Sequence, residues 1–250
     1  MKNISRRKML KLSGLATGGM LSVMPLNGLK AQNKKNNLKI IVVGAHPDDP
    51  ETGCGGTMIR LAEQGHEVVS LYLTRGEGGI ANITHDKAAK IRTAEAEEAC
   101  KIMKVRPVFA GQIDGDTEIS SKQYKNIKTL IEREKPDLVF THWPIDTHRD
   151  HRIASILTYD AWIELNRSFE LYYYEVYTGE QTQNFNPTHY VDISSTENEK
   201  RKACFSHKSQ NPQEIYDYHT RMSGFRGLEY NCEYAEAFIS QIQSKNKGLF

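Results

Sequence analysis

The feature that most constrains the fold is a short apolar run that ends in a group of polar side chains. Residues 40–43 read Ile-Ile-Val-Val, and His46, Asp48 and Asp49 follow almost at once. A continuous Val/Ile run is typical of a strand that is buried on both faces of a parallel sheet. Because ligands of open α/β sheets bind just beyond the carboxyl ends of such strands, this stretch predicts a functional site.

Two prolines flank the pair of aspartates. Pro47 and Pro50 predict an extended or turned backbone through the cluster, with a helix over about 52–64. A simpler interpretation of Asp48 and Asp49 is that they cap this helix, since aspartate is a common capping residue. Polar residues elsewhere in the chain decide whether these aspartates only cap the helix or belong to a functional site.

Strand and helix patterns alternate along the chain, which indicates a mostly parallel sheet covered on both faces. The predicted strands are 38–44, 66–74, 107–113, 136–141, 169–176 and 190–193. The predicted helices are 52–64, 87–103, 120–134, 152–166, 195–205 and 212–222, followed by a short element near 230–239. At 250 residues, the chain suits one α/β domain. We therefore predict a three-layer, Rossmann-like domain over residues 38–250.

The N-terminal stretch has the pattern of an export signal. Arg6 and Arg7 form a twin-arginine pair, and a Gly-rich apolar segment follows over about 12–26. That segment is too short to span a bilayer stably, and a plausible cleavage site follows at residue 31. We expect residues 1–31 to be a twin-arginine-type signal, 32–37 to be a polar spacer, and the mature protein to be periplasmic or extracytoplasmic without a membrane span.

Removing this signal reverses the sign of the net charge. The chain holds 33 Lys and Arg against 31 Asp and Glu, and six of the basic residues lie in 1–31. The remaining 27 against 31 give a net charge of −4. This charge predicts no nucleic-acid partner.

The four cysteines do not form a metal-binding pair. Cys54, Cys100, Cys204 and Cys232 are widely separated, with no C-x-x-C spacing, which excludes a zinc ribbon. Disulfides remain open for an exported protein, and their connectivity cannot be read from spacing.

A second polar cluster follows the predicted strand 136–141. It contains Asp146, His148, Asp150 and His151. The carboxyl ends of parallel strands meet at one sheet edge, so this cluster is expected beside His46 and the aspartate pair. Imidazole and carboxylate ligands favour a catalytic zinc with three protein ligands, although other divalent transition metals also fit.

On these residues the chain resembles the LmbE-like family of zinc-dependent de-N-acetylases, which includes the N-acetylglucosaminyl-phosphatidylinositol de-N-acetylases (PIG-L). Two motifs carry the resemblance: Ala45-His46-Pro47-Asp48-Asp49 with Glu51, and His148-x-Asp150-His151. Three further segments support it: Thr74-Arg75-Gly76-Glu77-Gly78-Gly79, His207-x-Ser209-Gln210 and Tyr234-Ala235-Glu236-Ala237-Phe238.

The resemblance implies a hydrolase that removes acetyl from an N-acetylated, GlcNAc-type sugar or its conjugate. His46, Asp49 and His151 would bind one zinc ion per chain. Asp48 would be the general base toward a metal-activated water. His148, as an imidazolium, would stabilise the oxyanion, and either it or Asp48 would protonate the leaving amine.

Three further residues receive supporting roles. Asp150 would orient a histidine from outside the ligand set. In the family's arrangement, Arg75 and Asp114 would hydrogen-bond sugar hydroxyls. The expected partner is a small molecule or glycan that carries an acetamido group.

The sequence departs from the family pattern at two positions. Pro50 is inserted before Glu51, which leaves the role of Glu51 unassigned. Asp146 stands where some relatives have a tyrosine that contributes to oxyanion binding, so the second oxyanion donor is also unassigned.

Three other classes of protein share parts of this pattern. The first turn lacks G-x-G-x-x-G, which argues against a dinucleotide-binding oxidoreductase. A phosphoesterase with two metals would use similar Asp/His clusters. A non-catalytic glycan-binding protein of the same fold is the remaining alternative.

Overall fold

The computed structural model describes residues 37–244. The predicted export signal, and all but the last residue of the predicted spacer, lie outside this range. Seven strands are described: β1 (Lys39–Gly44), β2 (Glu67–Tyr72), β3 (Arg106–Phe109), β4 (Leu138–His142), β5 (Glu170–Tyr174), β6 (His189–Asp192) and β7 (Ala235–Ser240). Six α-helices accompany them: α1 (Asp49–Glu63), α2 (His85–Met103), α3 (Ser121–Glu134), α4 (Arg149–Glu164), α5 (Glu197–Cys204) and α6 (Pro212–Tyr230). Within this range, no helix has the length and apolar character needed to cross a membrane.

The strands form one sheet in the order β3-β2-β1-β4-β5-β7-β6. The first five pair in parallel, whereas β7 runs antiparallel to both β5 and β6. The predicted α/β class with a mostly parallel sheet is confirmed. The chain order reverses between β1 and β4, which makes this the switch point where α/β sheets bind ligands.

Alternate residues of β1 face two separate apolar cores. Ile40 and Val42 pack with α1, α2 and α5, whereas Ile41 and Val43 pack with α3 and α4. All four side chains are fully buried. The uniformly apolar run is therefore explained by helices on both faces of the sheet.

Helix α1 begins at Asp49, three residues before its predicted start, so Asp49, Pro50 and Glu51 are helical. Proline is tolerated in the first turn because the N–H it lacks would have no intrahelical partner there. Asp48 is the N-cap and has a φ of 112°, a conformation that side-chain-bearing residues rarely adopt. The prediction that Pro50 excludes helix was therefore wrong.

Among the other predicted helices and strands, three boundaries differ by three residues or more. Helix α4 starts at residue 149 instead of 152, because the His148 side chain caps it by accepting the backbone N–H of Asp150. Helix α6 runs to Tyr230, eight residues past its predicted end at 222. Strand β3 stops at Phe109 instead of 113, and the loop that follows brings Asp114 and Gly115 to a cavity beyond the strand ends.

A buried ion pair ties the C-terminal strand to two helices. Lys200 of α5 lies 2.6 Å from Glu236 of β7, and both are almost fully buried. The Glu236 carboxylate also accepts the backbone N–H groups of Gly56 and Thr57 in α1, at 2.9 and 2.8 Å. One carboxylate thus joins β7, α5 and α1.

We expect Lys200→Met to destabilise the protein strongly, because it leaves the charge of Glu236 buried without its cation. Loss of one partner of a buried pair costs about 3–5 kcal/mol. Lys202→Met is the matched control on the same helix, since Lys202 pairs with Glu199 at 2.9 Å in solvent. Exposed pairs contribute about 0–1 kcal/mol. Urea unfolding of both variants measures the difference, and equal losses would contradict the assignment.

Candidate active site

The candidate site lies where the carboxyl ends of β1 and β4 meet. A cavity of about 510 Å³ opens there, and its wall includes His46, Asp48, Asp49, His148 and His151. The two polar clusters of the sequence, about 100 residues apart along the chain, therefore form one site.

The Asp49 carboxylate is at the centre of the histidine cluster. One oxygen lies 3.2 Å from His46 Nδ1 and 3.3 Å from His142 Nε2, and the other lies 3.2 Å from His151 Nε2. Burial alone would raise the pKa of Asp49, but the imidazoles of His151 and His142 hold it well below its usual value. Asp49 is thus an anion surrounded by a ring that follows β1, a ring at the end of β4 and a ring in α4.

Carboxylates also contact the outer nitrogens of two rings. His46 Nε2 lies 3.1 Å from Asp114 and 3.3 Å from Asp150, and His151 Nδ1 lies 3.3 Å from Asp146. A proton held at each outer nitrogen leaves the inner nitrogen, beside Asp49, with a lone pair. Such carboxylate–histidine contacts orient metal ligands.

These contacts fit a divalent metal. Two ligand atoms on a tetrahedral zinc at roughly 2.0–2.1 Å are roughly 3.3 Å apart, close to the two 3.2 Å spacings about Asp49. Ligand atoms of His46, His148 and His151 all lie within 4.8 Å of one another, as do those of Asp49, His142 and His151. The buried His/Asp cluster could therefore bind a metal, and each of these two groups combines two of the three predicted ligands with a further histidine.

The electrostatics of the cluster also favour a cation. Burial opposes a charge on His46, yet nearby carboxylates raise its pKa well above the usual value. Burial likewise opposes protonation of His151, but Asp49 and Asp146 raise its pKa to about 9. The site attracts positive charge to the inner nitrogens, where a metal would replace the protons.

Asp48 is held apart from this cluster by an arginine. The Arg92 guanidinium donates to Asp48 Oδ2 at 2.9 Å and to the Pro47 carbonyl, and it is 3% exposed. A Cβ on Gly76 or Gly79 would overlap the guanidinium, which explains why the loop after β2 is glycine-rich. Burial raises the pKa of Asp48, while the charge of Arg92 opposes that rise.

The structure gives Glu51 a positioning role. Its carboxylate accepts the backbone N–H of Asp48 at 3.2 Å, which completes a capping box at the start of α1. It also accepts the Tyr72 hydroxyl and lies 3.3 Å from His207 Nε2. Because Pro50 is inserted, Glu51 falls three residues after Asp48, where a capping-box glutamate belongs.

His148 lines the cavity in a defined tautomer. Its Nδ1 accepts the backbone N–H of Asp150 at 3.3 Å, so a neutral ring carries its proton on Nε2. Burial and the neighbouring charges of His46 and His151 lower its pKa, which disfavours the predicted imidazolium. A neutral ring can still donate a hydrogen bond from Nε2.

Of the remaining predicted residues, Asp150 and Asp114 lie at the site, whereas Arg75 does not. Asp150 contacts His46 and accepts the Thr117 hydroxyl at 2.6 Å, so it orients a ring from outside the cavity as expected of it. Asp114 lines the cavity. Arg75 does not: its side chain is 44% exposed, and its Nε lies 3.3 Å from Glu77.

Three residues of the site had no assigned role in the sequence analysis. Arg92 lies in the predicted helix 87–103, and its burial distinguishes it from the other charged residues of that helix. His142 is the last residue of β4 and stacks on His151, with ring centroids 4.1 Å apart. Asp146 orients His151. A polar residue at the end of a buried strand is the pattern that could have identified His142.

The comparisons with known proteins identify the family. Residues 41–162 match the family model "PIG-L: GlcNAc-PI de-N-acetylase". The chain is 30% identical to a diacetylchitobiose deacetylase of Thermococcus kodakarensis over 217 residues, which cover 76% of this chain and 81% of the relative. The chain belongs to the PIG-L (LmbE-like) de-N-acetylase family.

Solved structures agree with this fold. The N,N'-diacetylchitobiose deacetylase of Pyrococcus horikoshii superposes with a TM-score of 0.73 at 24% identity, covering 89% of this chain and 92% of that one. A 4-carboxy-2-hydroxymuconate hydratase of Pseudomonas putida KT2440 gives 0.76 at 24% identity, covering 85% and 100%. The same fold is therefore found in a protein named as a deacetylase and in one named as a hydratase.

We expect His46→Ala and Asp49→Ala to lose the metal, because each removes a ligand from the cluster. Metal-loaded, desalted protein should contain about one ion per chain in the wild type and close to none in either variant. His85→Ala, at an exposed histidine, is the control and should retain the wild-type content. Elemental analysis measures the ratio. Wild-type metal content in Asp49→Ala would contradict the ligand assignment.

Proposed function

We propose that this protein is a zinc-dependent hydrolase that removes acetyl from an N-acetylated sugar or sugar conjugate. His46, Asp49 and His151 would hold the ion. A divalent metal in such a site supplies Lewis-acid activation of water and of an amide carbonyl. The rest of the chemistry falls to side chains of the cavity.

Asp48 is the general base of this proposal. It accepts a proton from the attacking water, whose oxygen forms a bond to the acyl carbon. His148 donates a hydrogen bond from Nε2 to the developing oxyanion. The C–N bond then breaks, Asp48 delivers the proton that it took from water to the nitrogen, and acetate and a free amine leave.

The observation that carries the proposal is the separation of the two aspartates. Asp49 is enclosed by imidazoles, whereas Asp48 turns to the cavity beside Arg92. This separation supports a ligand role for Asp49 and a proton-transfer role for Asp48. The family and the T. kodakarensis deacetylase support an acetamido substrate.

A hydratase is the second candidate, since one relative of 24% identity over 208 residues is a 4-oxalmesaconate hydratase. Such an enzyme would add water to a carbon–carbon double bond and release no acetate. A phosphoesterase would require two metals per chain. A glycan-binding protein would bind sugar without turnover.

The decisive experiment is an acetate-release screen of metal-loaded protein across N-acetylglucosamine, N,N'-diacetylchitobiose and N-acetylated glycoconjugates. We expect Asp48→Asn to lower turnover by about 10²–10⁴-fold, because the base is lost, while metal content stays unchanged. Asp116→Asn, at an exposed aspartate near the cavity, is the matched control. Turnover at the wild-type rate by metal-replete Asp48→Asn would refute the base assignment. Absence of acetate from every substrate would refute the deacetylase.

Export through the twin-arginine signal remains a prediction. Secretion of the full chain, compared with Arg6→Lys/Arg7→Lys, tests it directly.

A further inference from the structure

A second, smaller cavity adjoins the main one beside Asp48. Its volume is about 30 Å³. The two cavities share five wall residues, namely Asp48, Thr52, Gln210, Ile215 and His219. Cys204, His207, Pro212 and Tyr216 line the small cavity alone. The small cavity is therefore a side pocket that opens at the proposed base.

Most of the pocket wall presents apolar or neutral groups. Burial raises the pKa of the Cys204 thiol, so it stays protonated. Burial and the charge of Lys200 lower the pKa of His219 to about 3, so its ring is neutral. The Tyr216 hydroxyl is bonded to Glu197 at 2.9 Å. The exceptions are Asp48 and His207. Burial opposes protonation of His207, but Glu51, 3.3 Å away, raises the pKa of its ring.

The volume of the pocket limits what can enter. One water needs roughly 10–15 Å³ of such space, so about 30 Å³ admits a methyl group and little more. A sugar ring does not fit, whereas the main cavity of about 510 Å³ is large enough for one.

We propose that this side pocket receives the methyl of the acyl group and restricts the enzyme to acetyl. The inference rests on the proposed deacetylase function. For Asp48 to activate water against the amide carbon, that carbon must lie beside Asp48. The sugar nitrogen and the acyl methyl leave the amide carbon in different directions. With the sugar in the main cavity, the side pocket offers a mostly apolar space of methyl size at Asp48.

The pocket predicts a steep dependence on acyl length. A single methylene too many in an apolar pocket changes kcat/KM by about 10–200-fold. The wild type should therefore prefer N-acetyl over N-propionyl, and N-propionyl over N-butyryl, by about tenfold or more per step.

Two variants enlarge the pocket at different points. Ile215→Ala removes a branched side chain from its mouth, and Cys204→Ala removes the sulfur from a wall that the main cavity does not share. Each should raise the butyryl-to-acetyl ratio of kcat/KM by about tenfold, because the added space accepts another methylene. Tyr177→Phe is the control, since Tyr177 lines the main cavity only. It should leave the ratio unchanged.

The measurement is amine release from N-acetyl-, N-propionyl- and N-butyryl-glucosamine, and from the same series on chitobiose, with circular dichroism of each variant. Equal rates for acetyl and butyryl in the wild type would overturn the inference and leave the deacylase intact. An unchanged ratio in both folded enlargement variants would overturn it as well. If one variant fails to fold, the other decides. No amine from any of the acylated sugars would refute the deacetylase and the pocket assignment together.

Discussion

The site depends on one buried carboxylate. Asp49 contacts His46 next to β1, His142 at the end of β4 and His151 in α4, each within 3.3 Å. Burial of an anion is costly unless opposite charges or hydrogen-bond donors surround it. The fold meets that requirement by placing two strand ends side by side, and the same arrangement provides a set of ligand atoms.

Around Asp49, further side chains hold the histidine rings in place. Asp114, Asp146 and Asp150 contact the outer nitrogens of the rings, and Thr117 fixes Asp150 in turn. The tautomers of His46 and His151 are thereby set by carboxylates at the ring nitrogens that face away from Asp49. The same logic applies to His148, whose backbone contact selects the nitrogen that carries the proton.

The sequence was sufficient to predict the fold class, the family and the convergence of the two clusters, because strand ends in a parallel sheet share an edge. It was not sufficient for features that depend on packing. Arg92 looks like any charged residue of an amphipathic helix until its burial is known. The start of α1 at Asp49 was missed because Pro50 is compatible with a first helical turn as well as with an extended chain. Arg75 follows β2 as expected, yet its side chain contacts Glu77 and does not line the cavity. The spacing of residues in a sequence does not reveal the direction of a side chain.

The backbone at Asp48 has a further consequence. Its φ of 112° is held by contacts from separate parts of the chain: Glu51 within α1, Arg92 from α2, and His207 through Glu51. A chain in which only the N-terminal strands had assembled would contain Asp48 without the groups that orient it. The orientation of Asp48 is therefore complete only when α2 and the segment that carries His207 have packed against α1.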